Sequence, residues 1–301
     1  MNLQSFIELL TEKVSDILGP GYEVTSRRIL KNNSVEYDCL SISHEKNNIA
    51  PSIQVDNLFL EFISGKSIDA LADRVIRQYR DGLNFINDTD YLSINTDNAE
   101  EKIFLRLINY AKNEKLLESC PHERVSDLAV TYHYIVSNDT KHGLSTIRID
   151  YSNMDYFKLT EASLRQYALR NTEKLFPAVF EKIEYLLKSY LQSHLPAGHE
   201  TTFPFFGGIP MYVLTTDSRV NGAACLLYHG MLERIKKSIG SDFYIIPSSI
   251  NEVLIVPIDA GMDADSLNNM LRSVNKEEVP DTEILSDNIY EYPKDSFQLR
   301  A

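Results

Sequence analysis

Six consecutive residues of this 301-residue chain concentrate groups that can do chemistry. Pro247-Ser248-Ser249-Ile250-Asn251-Glu252 sets two hydroxyls, an amide and a carboxylate between two apolar runs. At a strand end such a set can bind a ligand or supply an activated nucleophile. Activation needs a base that is itself oriented by a third group. His133 and His229 are candidates for that base only if the fold brings them near. Ser and Asn also fill tight turns by bonding their own backbone, and that structural use is the favoured reading here. Asn221-Gly222-Ala223, just ahead of a helical pattern, could aim N–H groups at an anion, although a turn followed by a helix start accounts for the same residues.

Other chemistry-bearing sets have simpler readings. Asp259, Asp263 and Asp265 could ligate Mg²⁺ or Ca²⁺, but the EF-hand pattern is missing and acidic residues favour a helix N-terminus anyway. His194 and His199-Glu200 form no HExxH and lack the i, i+4 spacing of two ligands on one helix face. Cys120 and His122 are too close in sequence to face each other productively, so a buried structural Cys is expected. Arg74, Arg77 and Arg80 recur every three residues, which reads as a solvated helix face before a phosphate-binding stripe. No metal site and no cofactor are expected.

Composition narrows the function classes. Thirty basic residues against 43 acidic ones give a net charge of -13, a field that repels nucleic acid and anionic membrane. The chain is 43% hydrophobic, enough for a substantial core. Cys39, Cys120 and Cys225 are odd in number and widely spaced, which is no disulfide framework. The first residues interleave polar and apolar types and do not read as a signal peptide. No stretch approaches the roughly 18 apolar residues of a membrane span. A cytoplasmic protein is expected.

The elements that must position these residues can be read from periodicity. Leu3, Phe6, Ile7, Leu10, Val14, Ile17 and Leu18 predict an amphipathic helix stopped at Gly19-Pro20-Gly21. Tyr22–Leu30 and Val35–Ser43 predict a hairpin, an apolar stretch follows Pro51, and Ser67 predicts the N-cap of a second helix. Residues 83–100 read as a loop and Lys102–Asn109 as a strand. Leu128–Val136 and Leu144–Asp150 predict a second hairpin, followed by helix from Thr160 to Leu191 with a restart at Pro177. The last hundred residues predict a strand over Met211–Thr216, a helix over Ala223–Ile239, two strands flanking the Pro247 turn, a capped helix and a final strand. The fold class is therefore α+β. A helix-hairpin-helix-strand region occupies 1–191, a Gly/Pro-rich linker 192–208, and a β-α-β-β-α-β two-layer sandwich, ferredoxin-like or related, 209–301.

The C-terminal strings Pro210–Thr215, Asn221-Gly222-Ala223-Ala224, Leu226-Leu227-Tyr228, Tyr244–Val253 and Ile284-Leu285-Ser286-Asp287 are more specific than their periodicity. With Lys31-Asn32-Asn33, Asn48–Pro51 and Asp127–Val130 they resemble a family of clostridial and related gut-bacterial proteins, domain of unknown function 5688, over nearly the whole chain. The resemblance implies no activity, cofactor or catalytic residue. The family's string carries His where this chain has Asn251, which weakens a catalytic reading of that turn. The candidate ligand or site residues are Ser248, Ser249, Asn251, Glu252, Asn221, Gly222 and Asp287. The expected function is non-catalytic binding or regulation, with an unknown protein or small-molecule ligand as partner. The alternative is a hydrolase-like enzyme built around Ser248–Glu252.

Overall fold

The computed structural model describes residues 1–44, 52–88, 98–139, 143–185, 209–295 and 297. The chain divides into two compact units. One comprises Met1–Asn95 with Val136–Ser145, the other Thr96–Ile135 with Thr146–Ala301. The expected linker, 192–208, lies outside the described residues.

In the first unit, helix α1 (Leu3–Leu18) buries Phe6, Ile7, Leu10 and Val14, the stripe its spacing predicts. The Asn2 side chain caps it by accepting the Ser5 N–H at 2.9 Å, and Gly19 ends it at φ 76°. Strands β1 (Tyr22–Leu30) and β2 (Glu36–His44) form the expected antiparallel hairpin. Asn33 and Ser34 turn the chain in the left-handed region. The apolar stretch after Pro51 resolves into β3 (Ser52–Gln54), paired with β2, and helix α2 (Asp56–Ile63). Helix α3 (Ile68–Asp88), capped by the Ser67 hydroxyl, sets Leu71, Val75 and Tyr79 against Phe6, Leu10, Leu40 and Ile42. It runs past the loop expected from residue 83, because Leu83 continues the packed stripe and polar composition on the other face does not stop a helix. A further turn of helix, Ala99–Lys102, begins within the last residues of that expected loop.

Two further antiparallel sheets are built from the second unit, except that residues 136–145 of one of them are counted with the first. In one, β4 (Ile103–Asn109), β6 (Leu128–Asp139) and β5 (His122–Val125) lie in the order β4-β6-β5, and β7 (Gly143–Arg148) also pairs with β6. The free edge of β4 is covered by side chains. Leu105 N donates to Thr172 Oγ1 at 3.0 Å, Leu105 O accepts from Asn221 Nδ2 at 2.9 Å, and Ile103 O accepts from Asn171 Nδ2 at 3.1 Å. Such bonds satisfy backbone groups that an edge strand would otherwise leave open. Asn171 and Thr172 come from helix α4 (Glu161–Leu175).

The second sheet runs β12 (Tyr290–Tyr292), β10 (Phe243–Ser249), β11 (Glu252–Pro257), β9 (Tyr212–Thr216), β8 (Ala178–Lys182). With α5 (Met231–Ile239) and α6 (Ala264–Glu277), the chain order from β9 to β12 is the expected β-α-β-β-α-β. The pairing interleaves the two βαβ halves: β11 lies between β9 and β10, and β10 between β11 and β12. Helix α6 packs Leu267 and Leu271 with Ile246 and Val256, the second layer of the sandwich.

Two expected helices are corrected. Residues 178–182 form strand β8 on β9, because Pro177 ends α4 after Phe176 where a helix restart was expected. The helix expected over Ala223–Ile239 is broken. Gly222–Leu227 is a 3-10 segment, Tyr228 is extended, and Gly230 at φ 64° reorients the chain before α5. Ala223, Ala224, Cys225 and Leu226 are all buried, so this stretch has no polar face to keep in register with a 3.6-residue period.

Candidate functional site

The Pro247–Glu252 segment is the hairpin end of β10 and β11. The register shifts between Ile246 and Ser249, so Pro247 and Ser248 sit at a bulge, where a residue without an N–H is tolerated in a strand. Ser249 is buried and its Oγ accepts the Asn251 N–H at 3.0 Å. Asn251 is used three times more. Its carbonyl accepts Thr215 Oγ1 at 2.7 Å, its Oδ1 accepts the Asn221 N–H at 3.1 Å, and its Nδ2 donates to Glu283 Oε2 at 3.3 Å. Ile250 accepts from Ala223 N at 3.2 Å and donates its own N–H to Glu283 O at 2.9 Å.

Gly222 makes this closeness possible. A Cβ built on it would stand 2.0 Å from Asn251 O and 2.6 Å from Thr215 Oγ1, so no larger residue fits without moving backbone. Asn221 precedes it at φ 63°, a conformation that Asn tolerates better than most residues. The Asn221 and Ala223 N–H groups, which could have met an anion, are bonded to Asn251 Oδ1 and Ile250 O.

The structure thus brings Ser249, Asn251, Asn221 and Gly222 into one clasp, with Glu252 and Ser248 adjoining. Ser248 is partly exposed, and its hydroxyl has no hydrogen-bond partner among the described residues. Burial pushes the Glu252 carboxyl above the ordinary value, Glu283 pushes the same way, and Arg219 opposes. Asp287 belongs elsewhere. It accepts from Asn275 Nδ2 at 2.9 Å and pairs with Lys112 Nζ at 3.0 Å. Burial pushes its carboxyl up, but those bonds and the nearby cations outweigh it and hold the group below the usual range.

The lesser candidates have plain roles. Asp263 is the N-cap of α6, accepting the Ser266 N–H at 2.8 Å. His122 Nδ1 faces the Cys120 carbonyl at 3.0 Å and not its thiol. Burial pushes the Cys120 and Cys225 thiols up to about 11 and about 12, which keeps them unreactive. Arg74 pairs with Glu61, and Arg77 and Arg80 are exposed. His194, His199 and Glu200 lie outside the described residues. Among the described residues, no group of three His, Cys, Asp or Glu side chains is placed to hold a metal.

A cleft of about 610 Å³ opens beside the broken helix. Leu226, Leu227, Leu232, Tyr292 and Phe297 give it an apolar lining, and Arg165, His229 and Glu233 add polar groups. Tyr228, also in the wall, is fixed by its hydroxyl donating to Phe176 O at 2.7 Å. Arg165 is held by Glu123, whose two carboxylate oxygens each accept Nε–H at 3.0 Å. Sequence reading missed this cleft because it ran one continuous helix over Ala223–Ile239, through Leu227 and Tyr228. The Tyr228-His229-Gly230 break was the available signal.

A model described as a family of unknown function, DUF5688, matches residues 3–294. No curated protein and no solved structure matches the chain.

Proposed function

The chain belongs to this family of unknown function, DUF5688, and from that premise we propose that it is a non-catalytic binding protein that takes a small ligand in the cleft of its second unit. The observation that carries the reading is the cleft's chemistry. Its volume lies within the range of small-molecule sites, and it sets apolar walls beside Arg165, His229 and Glu233, which suits an amphipathic ligand. The hydrolase-like alternative has less behind it, since Ser249, Asn251 and Asn221 are engaged in turn-forming hydrogen bonds. A net charge of -13 speaks against nucleic acid as the partner. Among the described residues no helix is long and apolar enough to cross a membrane. The free, buried cysteines suit a reducing compartment, and a cytoplasmic location is part of this proposal.

The test is a thermal-shift screen of the full chain against a panel of amphipathic small molecules. Compounds that stabilise the wild type should lose their effect on Leu227→Arg, which puts a charge into the cleft, and keep it on Ser248→Ala. Undiminished shifts in Leu227→Arg would remove the cleft from consideration. Ester hydrolysis by the wild type that disappears in Ser248→Ala would establish the hydrolase-like reading instead.

A further inference from the structure

Arg106 is the one charged residue in the run Ile103-Phe104-Leu105-Arg106-Leu107-Ile108 of β4. In the β4–β6 register Phe104 stands opposite His133 and Arg106 opposite Thr131. Residues two apart on a strand share a face, so these four side chains occupy one patch of the sheet. Thr131 Oγ1 lies 3.4 Å from Arg106 O, which can accept its proton, and 3.1 Å from His133 Nε2. The guanidinium carbon of Arg106 is 5.7 Å from the centre of the Phe104 ring, which in turn lies 5.5 Å from the His133 ring and 4.9 Å from Phe176.

The patch holds a cation without a counter-charge. Arg106 Nε is buried and has no hydrogen-bond partner, while the residue as a whole keeps some exposed surface. No carboxylate pairs with it among the described residues, and burial alone draws its pKa down to about 10. Arg148, the other cation acting on His133, is already neutralised by Asp150 at 2.6 Å. Burial, with Arg106 and Arg148, keeps His133 neutral. A partly buried guanidinium with its Nε unpartnered and no counter-charge is costly, and an aromatic face repays only a small part of that cost. A guanidinium, with the one proton that the hydrogen-bonded Thr131–His133 pair can spare, over an aromatic floor makes a set suited to receiving an oxyanion.

We infer that Arg106, Thr131 and His133 form a binding site for the oxyanionic group of a small ligand, a carboxylate or a phosphate, with Arg106 as the principal donor. This inference is independent of the cleft, whose lining shares none of these residues.

The experiment titrates the full chain with sodium phosphate and, separately, with sodium acetate, chloride being adjusted to constant ionic strength. Melting temperature and the arginine Nε–H signals are followed. One of the two anions should raise the melting temperature saturably and shift one Nε–H signal, and the effective anion identifies the group recognised. Arg106→Met should lose both responses while being at least as stable as the wild type without anion, because it removes an unpaired charge. Arg106→Lys, which keeps the charge but not the fork, should bind at least about tenfold more weakly and decides the matter if Arg106→Met does not fold. No saturable response in the wild type, or a wild-type response in either variant, overturns the inference.

Discussion

The β10–β11 turn and the Arg106 patch of β4 are both polar insertions into apolar sheets, and they meet the cost of burial in opposite ways. In the turn, Ser249, Asn251 and Thr215 spend their polar atoms on backbone and on one another, and only Asn221 Oδ1 is left buried without a partner. In the patch, the strongest polar group has no partner to spend itself on. Crowding of polar residues along the sequence is therefore a poor guide to recognition here. The unmet charge, visible only in three dimensions, is the better one.

The contrast can be broken at several points. Gly222→Ala drives a methyl into Asn251 O and Thr215 and should cost about 3 kcal/mol or more in urea unfolding. A cost under about 1 kcal/mol would mean that the clasp is not close-packed. Asn251→Ala strips the acceptor from the buried Asn221 N–H and should cost about 2 kcal/mol by the same measurement.

Glu252 adds a pH dependence of definite sign. Burial first, then Glu283, raises its carboxyl above the ordinary 4.5, so the folded chain holds that proton more tightly than the unfolded chain. The stability so contributed is complete below 4.5 and is lost as pH rises through the higher folded value. Glu252→Gln should flatten that decline and leave the chain more stable than wild type at neutral pH, as read from unfolding midpoints across pH. Arg234→Ala removes an exposed pair with Glu173 at 3.6 Å and should change stability by less than about 1 kcal/mol, which sets the floor for the series.

Much of the architecture was legible because burial imposes a period. The α1 stripe, both hairpins and the strand–helix order from β9 to β12 follow from spacing alone. What periodicity could not show was the break at Tyr228–Gly230, since Ala223–Leu226 is apolar on every side, or β8, whose residues after Pro177 suit helix and strand alike. The clasp was half legible. Asn221-Gly222 and Ser249–Asn251 announce turns, but that one turn docks on the other depends on a contact thirty residues apart in the chain. Arg106 carried a signal that went unused, a single charge inside six residues of apolar strand.

The division between residues that build and residues that bind is tested most directly by measuring urea unfolding of wild type, Asn251→Ala and Arg106→Met, each with and without the effective anion. Asn251→Ala should unfold at lower urea yet keep the wild-type anion response. Arg106→Met should unfold at or above the wild-type midpoint and show no anion response. An Arg106→Met protein that the anion still stabilises, or an Asn251→Ala protein that loses the response while still folded, would contradict that division.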